Sequence, residues 1–156
     1  MEPRIISKPA FTVVGLLQDK DDIDTSVEGL WESLGARLSE IIGADPDVGF
    51  EVHFMEEDGH RYLVGFAVLK QSTVPKGMTA INFDAYNYAV IPHQGSLDGI
   101  ADTLAGFDSD WLPTSGYQRD EATYFEVYDD RFVPNSPDSL ISIYVPLRKI
   151  TGDDQG

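Results

Sequence analysis

The chain contains no cysteine. That excludes a disulfide framework, a thiolate nucleophile and any thiolate metal site. Basic residues are scarce: 11 Lys and Arg stand against 27 Asp and Glu in 156 residues, a formal net charge of −16. So few cations cannot displace the counterions of a phosphate backbone, and the same sign repels an anionic lipid surface. Direct binding to nucleic acid or membrane is therefore not expected. The three histidines, His53, His60 and His93, show no ligand spacing such as H-x-x-x-H, so neither a metal nor a cofactor is expected. Asp19, Asp21, Asp22 and Asp24 resemble a fragment of a calcium loop but lack its Gly and its closing Glu, and read as a solvated loop. No run approaches the 18 apolar residues of a membrane span. Met1 to Phe11 lacks the apolar stretch of a signal peptide. The expectation is a cytoplasmic protein. Phosphate-binding loops, dinucleotide fingerprints and the H-E-x-x-H motif are also missing. Gly95-Ser96-Leu97-Asp98-Gly99 has the wrong spacing for a nucleophile elbow and reads as a loop before a helix cap.

What is present is a core and a repeat. Hydrophobic residues make up 42% of the chain and aromatics 11%, enough to bury an interior and exclude wholesale disorder. Split at Pro75, the two parts hold 14 and 13 acidic residues against 6 and 5 basic ones, so each carries −8. The order of elements repeats as well. Residues 10–17 read as a strand; Val27, Leu30, Trp31, Leu34, Leu38, Ile41 and Ile42 then recur in steps of three and four, one face of a helix. Thr25 and Glu28 form a capping box for it. Runs at 48–55 and 62–69 follow as strands around Glu57-Asp58-Gly59. The second part repeats the plan with a strand at 86–92, a helix capped by Ser96 that carries Leu97, Ile100, Leu104, Phe107 and Trp111, and strands at 124–129 and 139–147. Phe50-Glu51-Val52 recurs as Phe125-Glu126-Val127, 75 places on.

This predicts an α+β fold: duplicated strand–helix–strand–strand units (about 4–75 and 76–150) that form a shared antiparallel sheet with two helices on one side and a central ligand cleft. The expectation is one domain over 1–150, with Pro75 to Met78 as the hinge between copies and 151–156 as a disordered tail.

Aromatics are unevenly shared, 6 before the split and 11 after, and six of seven tyrosines lie in the second part. Side chains alternate along a strand, so Tyr124, Glu126 and Tyr128 share one face while Phe125 and Val127 share the other. A carboxylate among ring faces suits an organic cation. An amphipathic strand with Glu126 in water between two snorkelling tyrosines is the plainer alternative. The candidate ligand-binding residues are Glu126, Tyr124, Tyr128, Tyr144, Tyr88 and Trp111. For Trp111 a core position in the helix stripe is equally compatible. No catalytic residue is assigned. Burial is expected to raise the pKa of Glu126. Glu51, with no tyrosine beside it in sequence, is expected to lie outside the site.

The runs Val74-Pro75-Lys76-Gly77-Met78, Tyr86 to Gly95, Asp110 to Tyr117 and Tyr124-Phe125-Glu126-Val127-Tyr128, together with Ile6 to Leu17 and Leu30-Trp31-Glu32, resemble the gyrase-inhibitor-like small-molecule-binding family. These are effector-binding domains of AraC-type and MerR-type multidrug regulators, also found as stand-alone proteins. The resemblance covers residues 4–149. It implies two strand–helix–strand–strand repeats around a ligand cleft, with a glutamate at the Glu126 position that pairs with lipophilic cations in multidrug-binding members. It also implies two alternatives: hydrolysis of small strained electrophiles with Glu126 as general base, or inhibition of gyrase through protein contact. No helix-turn-helix precedes residue 4, so the expectation is a stand-alone module for amphipathic, cationic small molecules, with a protein partner as a further expectation.

Overall fold

The computed structural model describes residues 2–18, 27–56, 59–68, 73–120, 123–134 and 136–150. The acidic loop at Asp19 to Asp24, the Thr25 half of the capping box, most of the Glu57-Asp58-Gly59 turn and the tail lie outside the described residues.

Strand β1 (Arg4–Lys8) is followed by β2 (Phe11–Gln18), α1 (Val27–Ala36), β3 (Ala44–Glu56), β4 (Gly59–Val68) and β5 (Thr79–Phe83). The second part runs β6 (Tyr86–Gln94), α2 (Ile100–Gly106), β7 (Tyr117–Arg119), β8 (Tyr124–Tyr128) and β9 (Leu140–Lys149). The strands form a sheet in the order β1-β6-β9-β8-β3-β4-β2-β5, with β7 added on β9, and every pairing is antiparallel. The sheet curls into a half-barrel. Its order is a palindrome of the repeat: β3-β4-β2 mirrors β8-β9-β6 about the β3–β8 junction. Each copy also lends an arm to the other, because β1 pairs with β6 while β5 pairs with β2.

The pseudo-twofold falls on the recurring tripeptide. Phe50 pairs with Val127, Glu51 with Glu126 and Val52 with Phe125. Because side chains alternate, this register puts both glutamates on one face and both phenylalanines on the other.

Both helices cover the glutamate face. Leu30 and Leu34 of α1 join Val14, Val64 and Phe66 in one apolar cluster; beneath α2, Phe107 joins Ala89, Ile91, Ile141 and Ile143 in another. A third cluster fills the opposite face with Val13, Phe50, Val52, Leu63, Tyr88 and Phe125. Three buried layers of this kind account for the 42% apolar content.

Three details depart from the sequence expectations. The first helix stops at Ala36 rather than running to Ile42: Arg37 leaves helical geometry (φ −115°, ψ 11°) and one 3₁₀ turn follows at Leu38–Glu40. Ile41 still reaches the core, but Ile42 is 68% exposed. Arg37 ties that turn to the linker by donating to the Lys76 carbonyl at 2.7 Å. The second helix is composite: a 3₁₀ turn at Leu97–Gly99 capped by the Ser96 hydroxyl, then α2, a π turn at Phe107–Trp111 and a 3₁₀ turn at Leu112–Thr114, where Pro113 lacks the N–H needed to continue. The linker at Pro75 to Met78 leads straight into β5, one of three strands (β1, β5, β7) that the repeat pattern does not reveal. Among the described residues no helix is long and apolar enough to cross a membrane.

Candidate functional site

The site grows from the β3–β8 junction. On β3 the residues Gly49, Glu51 and His53 face the helices, and on β8 so do Tyr124, Glu126 and Tyr128. The register sets Glu51 against Glu126 and His53 against Tyr124. Glu126 is 2% exposed, Glu51 7% and His53 8%. Buried charges at this depth are tolerated only when paired and hydrogen-bonded.

They are paired through one imidazole. Nε2 of His53 lies 3.0 Å from Oε2 of Glu51 and 2.9 Å from Oε2 of Glu126. One N–H shared between two acceptors points squarely at neither, so this is an ion triad rather than two linear hydrogen bonds. The Tyr128 hydroxyl donates to Oε1 of Glu126 at 2.6 Å, and the Trp31 indole lies beside Glu51 and favours its ionised form. Glu126 is thus held on two sides, by His53 and by Tyr128.

The electrostatics follow from this arrangement. Burial alone would lower the pKa of His53, but the two glutamates outweigh it and lift the value from 6.5 to about 9. Burial pushes Glu126 up, yet His53 and the Tyr128 hydroxyl more than offset it, and the net shift is downward. This corrects the expectation of a raised value for Glu126. Glu51 carries the raised pKa instead, through burial and the charge of Glu126. Burial and the glutamates push Tyr124 up to about 12 and Tyr128 higher still, so both phenols stay neutral donors.

Aromatic rings enclose the triad. Tyr124 stacks on the imidazole at 4.7 Å and 11°, and Tyr62 of β4 lies 6.4 Å from it. Trp31 meets Tyr128 edge-on at 6.1 Å, and Phe132 closes the other side of Tyr128 at 4.9 Å. Gly49 makes room for the indole: a Cβ there would sit 2.9 Å from the Trp31 ring. The ligand atoms of Glu51, His53 and Glu126 lie within 4.8 Å of one another, close enough to converge on a single small cation. The imidazolium N–H itself occupies that position.

Of the six candidate residues, the structure brings together Glu126, Tyr124 and Tyr128. Trp111 stacks on Phe107 at 5.1 Å and packs in the apolar cluster beneath α2 to which Tyr124 and Tyr128 also belong. Tyr88 and Tyr144 fall on the other face of the sheet. Tyr144 pairs in register with Phe125 and stacks on it at 4.8 Å, and Tyr88 meets the same ring edge-on at 5.3 Å. There Tyr88 lines a cavity of about 280 Å³ with Phe54, Phe83 and Phe125, separated from Glu126 by the sheet. A larger surface cleft of about 560 Å³ beside Lys8, Tyr86 and Arg148 contains none of the triad.

Glu51, His53, Trp31 and Tyr62 were not legible as site residues. Glu51 is no outsider: it is the twofold mate of Glu126 and shares its proton donor. The repeat of Phe-Glu-Val held the signal, since placing the pseudo-twofold on that tripeptide brings the glutamates face to face, and the alternation Glu51-Val52-His53 adds the histidine.

A duplicated half-barrel thus carries a buried carboxylate pair at its pseudo-twofold, beneath two helices. The sequence profile of the GyrI-like small molecule binding domain matches residues 1–148, and the chain belongs to that family. The transcriptional regulator BrlR of Pseudomonas aeruginosa is 33% identical over 150 residues, which cover 94% of this chain and 56% of BrlR. The chain thus spans little more than half the length of that relative. Among solved structures, SAV2435 bound to tetraphenylphosphonium is similar with a TM-score of 0.71 at 16% identity, covering 95% of this chain and 94% of that one. EcmrR in a DNA complex is similar with a TM-score of 0.75 at 11% identity, over 96% of this chain and 58% of that one. At these identities the structural likeness concerns the fold.

Proposed function

We propose that the protein binds amphipathic organic cations at the Glu51–His53–Glu126 cluster, between α1 and the segment that carries α2. The observation that carries this reading is a pair of buried carboxylates walled by Trp31, Tyr62, Tyr124 and Tyr128. Ring faces attract a cation through their quadrupoles, and a desolvated carboxylate supplies the charge that a neutral aromatic pocket lacks. Glu126 is the principal counter-charge, because its lowered pKa keeps it ionised at neutral pH. Tyr128 holds its carboxylate in place. Trp31 and Trp111 stand on the two helical segments, so an entering ligand separates helix from sheet and takes over apolar contacts that the helices make in its absence. The −16 charge raises the local concentration of cations around the molecule.

The tetraphenylphosphonium seen on SAV2435 supports this choice of ligand class. The likeness to BrlR supports a role as the sensing part of transcriptional control, in the cytoplasm, with DNA contact made by other protein segments. The test is a thermal-shift titration with tetraphenylphosphonium chloride and with neutral triphenylphosphine oxide. A ligand at 100 times its Kd stabilises by about 2.7 kcal/mol, roughly 5–10 °C for a chain of this size. A shift of that order with the cation supports the reading. No shift with tetraphenylphosphonium or with other lipophilic cations would contradict it.

A further inference from the structure

We propose that His53 is the resident cation of this site, and that a monovalent organic cation binds in exchange for the His53 proton. The inference rests on the binding reading above and specifies which ligands the site admits and at what pH. Nε2 stands 3.0 Å from one carboxylate and 2.9 Å from the other, at the point of greatest negative charge in the buried site. An incoming cation is drawn to the point the imidazolium already holds.

Among the described residues, several charged and titratable groups face His53. Glu51 faces it from its own strand; Glu126, Tyr124 and Tyr128 face it from β8, and Tyr62 from β4. From α1, Trp31 reaches Glu51, and Arg119 of β7, which acts on Tyr124, is itself paired with Asp108 at 3.1 Å. The two glutamates dominate, and against them His53 keeps its proton up to about pH 9. A second unit positive charge about 4 Å away disfavours that proton roughly a thousandfold at the effective dielectric of a protein site. That equals roughly three pH units, enough to leave the imidazole neutral at pH 7.5 once the ligand is seated.

The exchange balances simply: the protonated site and the ligand cation give the complex with a neutral imidazole, plus one proton passed to buffer. By linkage, cation affinity then rises up to tenfold per pH unit between about pH 6 and pH 9 and levels off on either side. A bare carboxylate counter-ion would behave differently, with affinity flat throughout this range. Neutral ligands leave the triad intact and should show no such slope.

The experiment is calorimetric titration of the intact chain with tetraphenylphosphonium chloride at pH 7.5 in phosphate and in Tris, whose ionisation enthalpies differ, with affinities repeated at pH 6.5 and 8.5. The expected result is close to one proton released per cation and an affinity that climbs with pH. His53→Gln combined with Glu51→Gln, which leaves no second carboxylate to hold a proton in place of the imidazole, should release none and lose the slope. Binding without proton release overturns the exchange while leaving the binding reading standing, and so does equal release from the double variant. Failure of both proteins to bind overturns both. If the double variant does not fold, ¹⁵N spectra of the wild-type imidazole decide: a change from protonated to neutral on adding ligand supports the exchange, and a ring still protonated in the complex overturns it.

Discussion

The triad makes the ligand-free protein less stable in mild base. Folding raises the pKa of His53 from 6.5 to about 9, so it favours the protonated form. The stability this contributes is fully present below pH 6.5, declines between 6.5 and 9, and is gone above 9. The interval of about 2.5 units, at 1.36 kcal/mol each, corresponds to roughly 3 kcal/mol. That is a large share of the 5–15 kcal/mol typical of a domain. His53 is only 8% exposed, so solvent screening removes little of it. Glu126 acts in another window: its lowered pKa gives stability that is complete above about pH 4.5 and is lost as the pH falls below that. Glu51, shifted up, favours its neutral form, and that contribution also fades as pH rises. The assay is urea unfolding of the ligand-free protein at pH 6, 7, 8 and 9, with constant m-values to confirm a common unfolded state. A midpoint that falls steadily across this range in wild type, and stays nearly level once both His53→Gln and Glu51→Gln are made, is the expected result. A flat or rising wild-type profile would refute the assignment of the charged imidazole.

Two further substitutions probe the frame around the triad. Gly49→Ala places a methyl 2.9 Å from the Trp31 ring, so it should cost about 1–3 kcal/mol by overpacking and blue- or red-shift the tryptophan fluorescence as the indole leaves Glu51; unchanged fluorescence and stability would mean the indole does not rest on this strand. Phe125→Ala removes a ring that is 1% exposed and touches Phe11, Phe50, Phe83, Tyr88 and Tyr144, and should cost about 3–5 kcal/mol in denaturant unfolding.

The fold was readable where periodicity was strong and hidden where pairing is long-range. The duplicated strand–helix–strand–strand order, the alternation on Tyr124 to Tyr128 and the apolar stripe from Val27 to Leu34 all rest on local spacing, which sequence displays directly. The arms β1 and β5 gain their strand character from partners 64–86 residues away, and five residues such as Arg4–Lys8 show little by themselves. Glu126 was legible because Tyr124 and Tyr128 flank it. His53 was not, because a lone histidine in an apolar strand looks like a core residue until the twofold brings Glu126 across to it. Tyr88 and Tyr144 were drawn in by composition alone. Their alternation phase relative to β8 depends on a register that only the assembled sheet defines.

The central claim is that a carboxylate at the twofold recognises organic cations, and Glu126→Gln tests it most directly. The change preserves volume and a hydrogen-bonding group for Tyr128 while removing the principal counter-charge. Calorimetric titration at pH 7.5 should show tetraphenylphosphonium affinity falling by about 1–3 kcal/mol, roughly fivefold to 150-fold, with triphenylphosphine oxide affinity unchanged. Equal affinity of wild type and Glu126→Gln for the cation, or an equal loss for the neutral ligand, would contradict the claim.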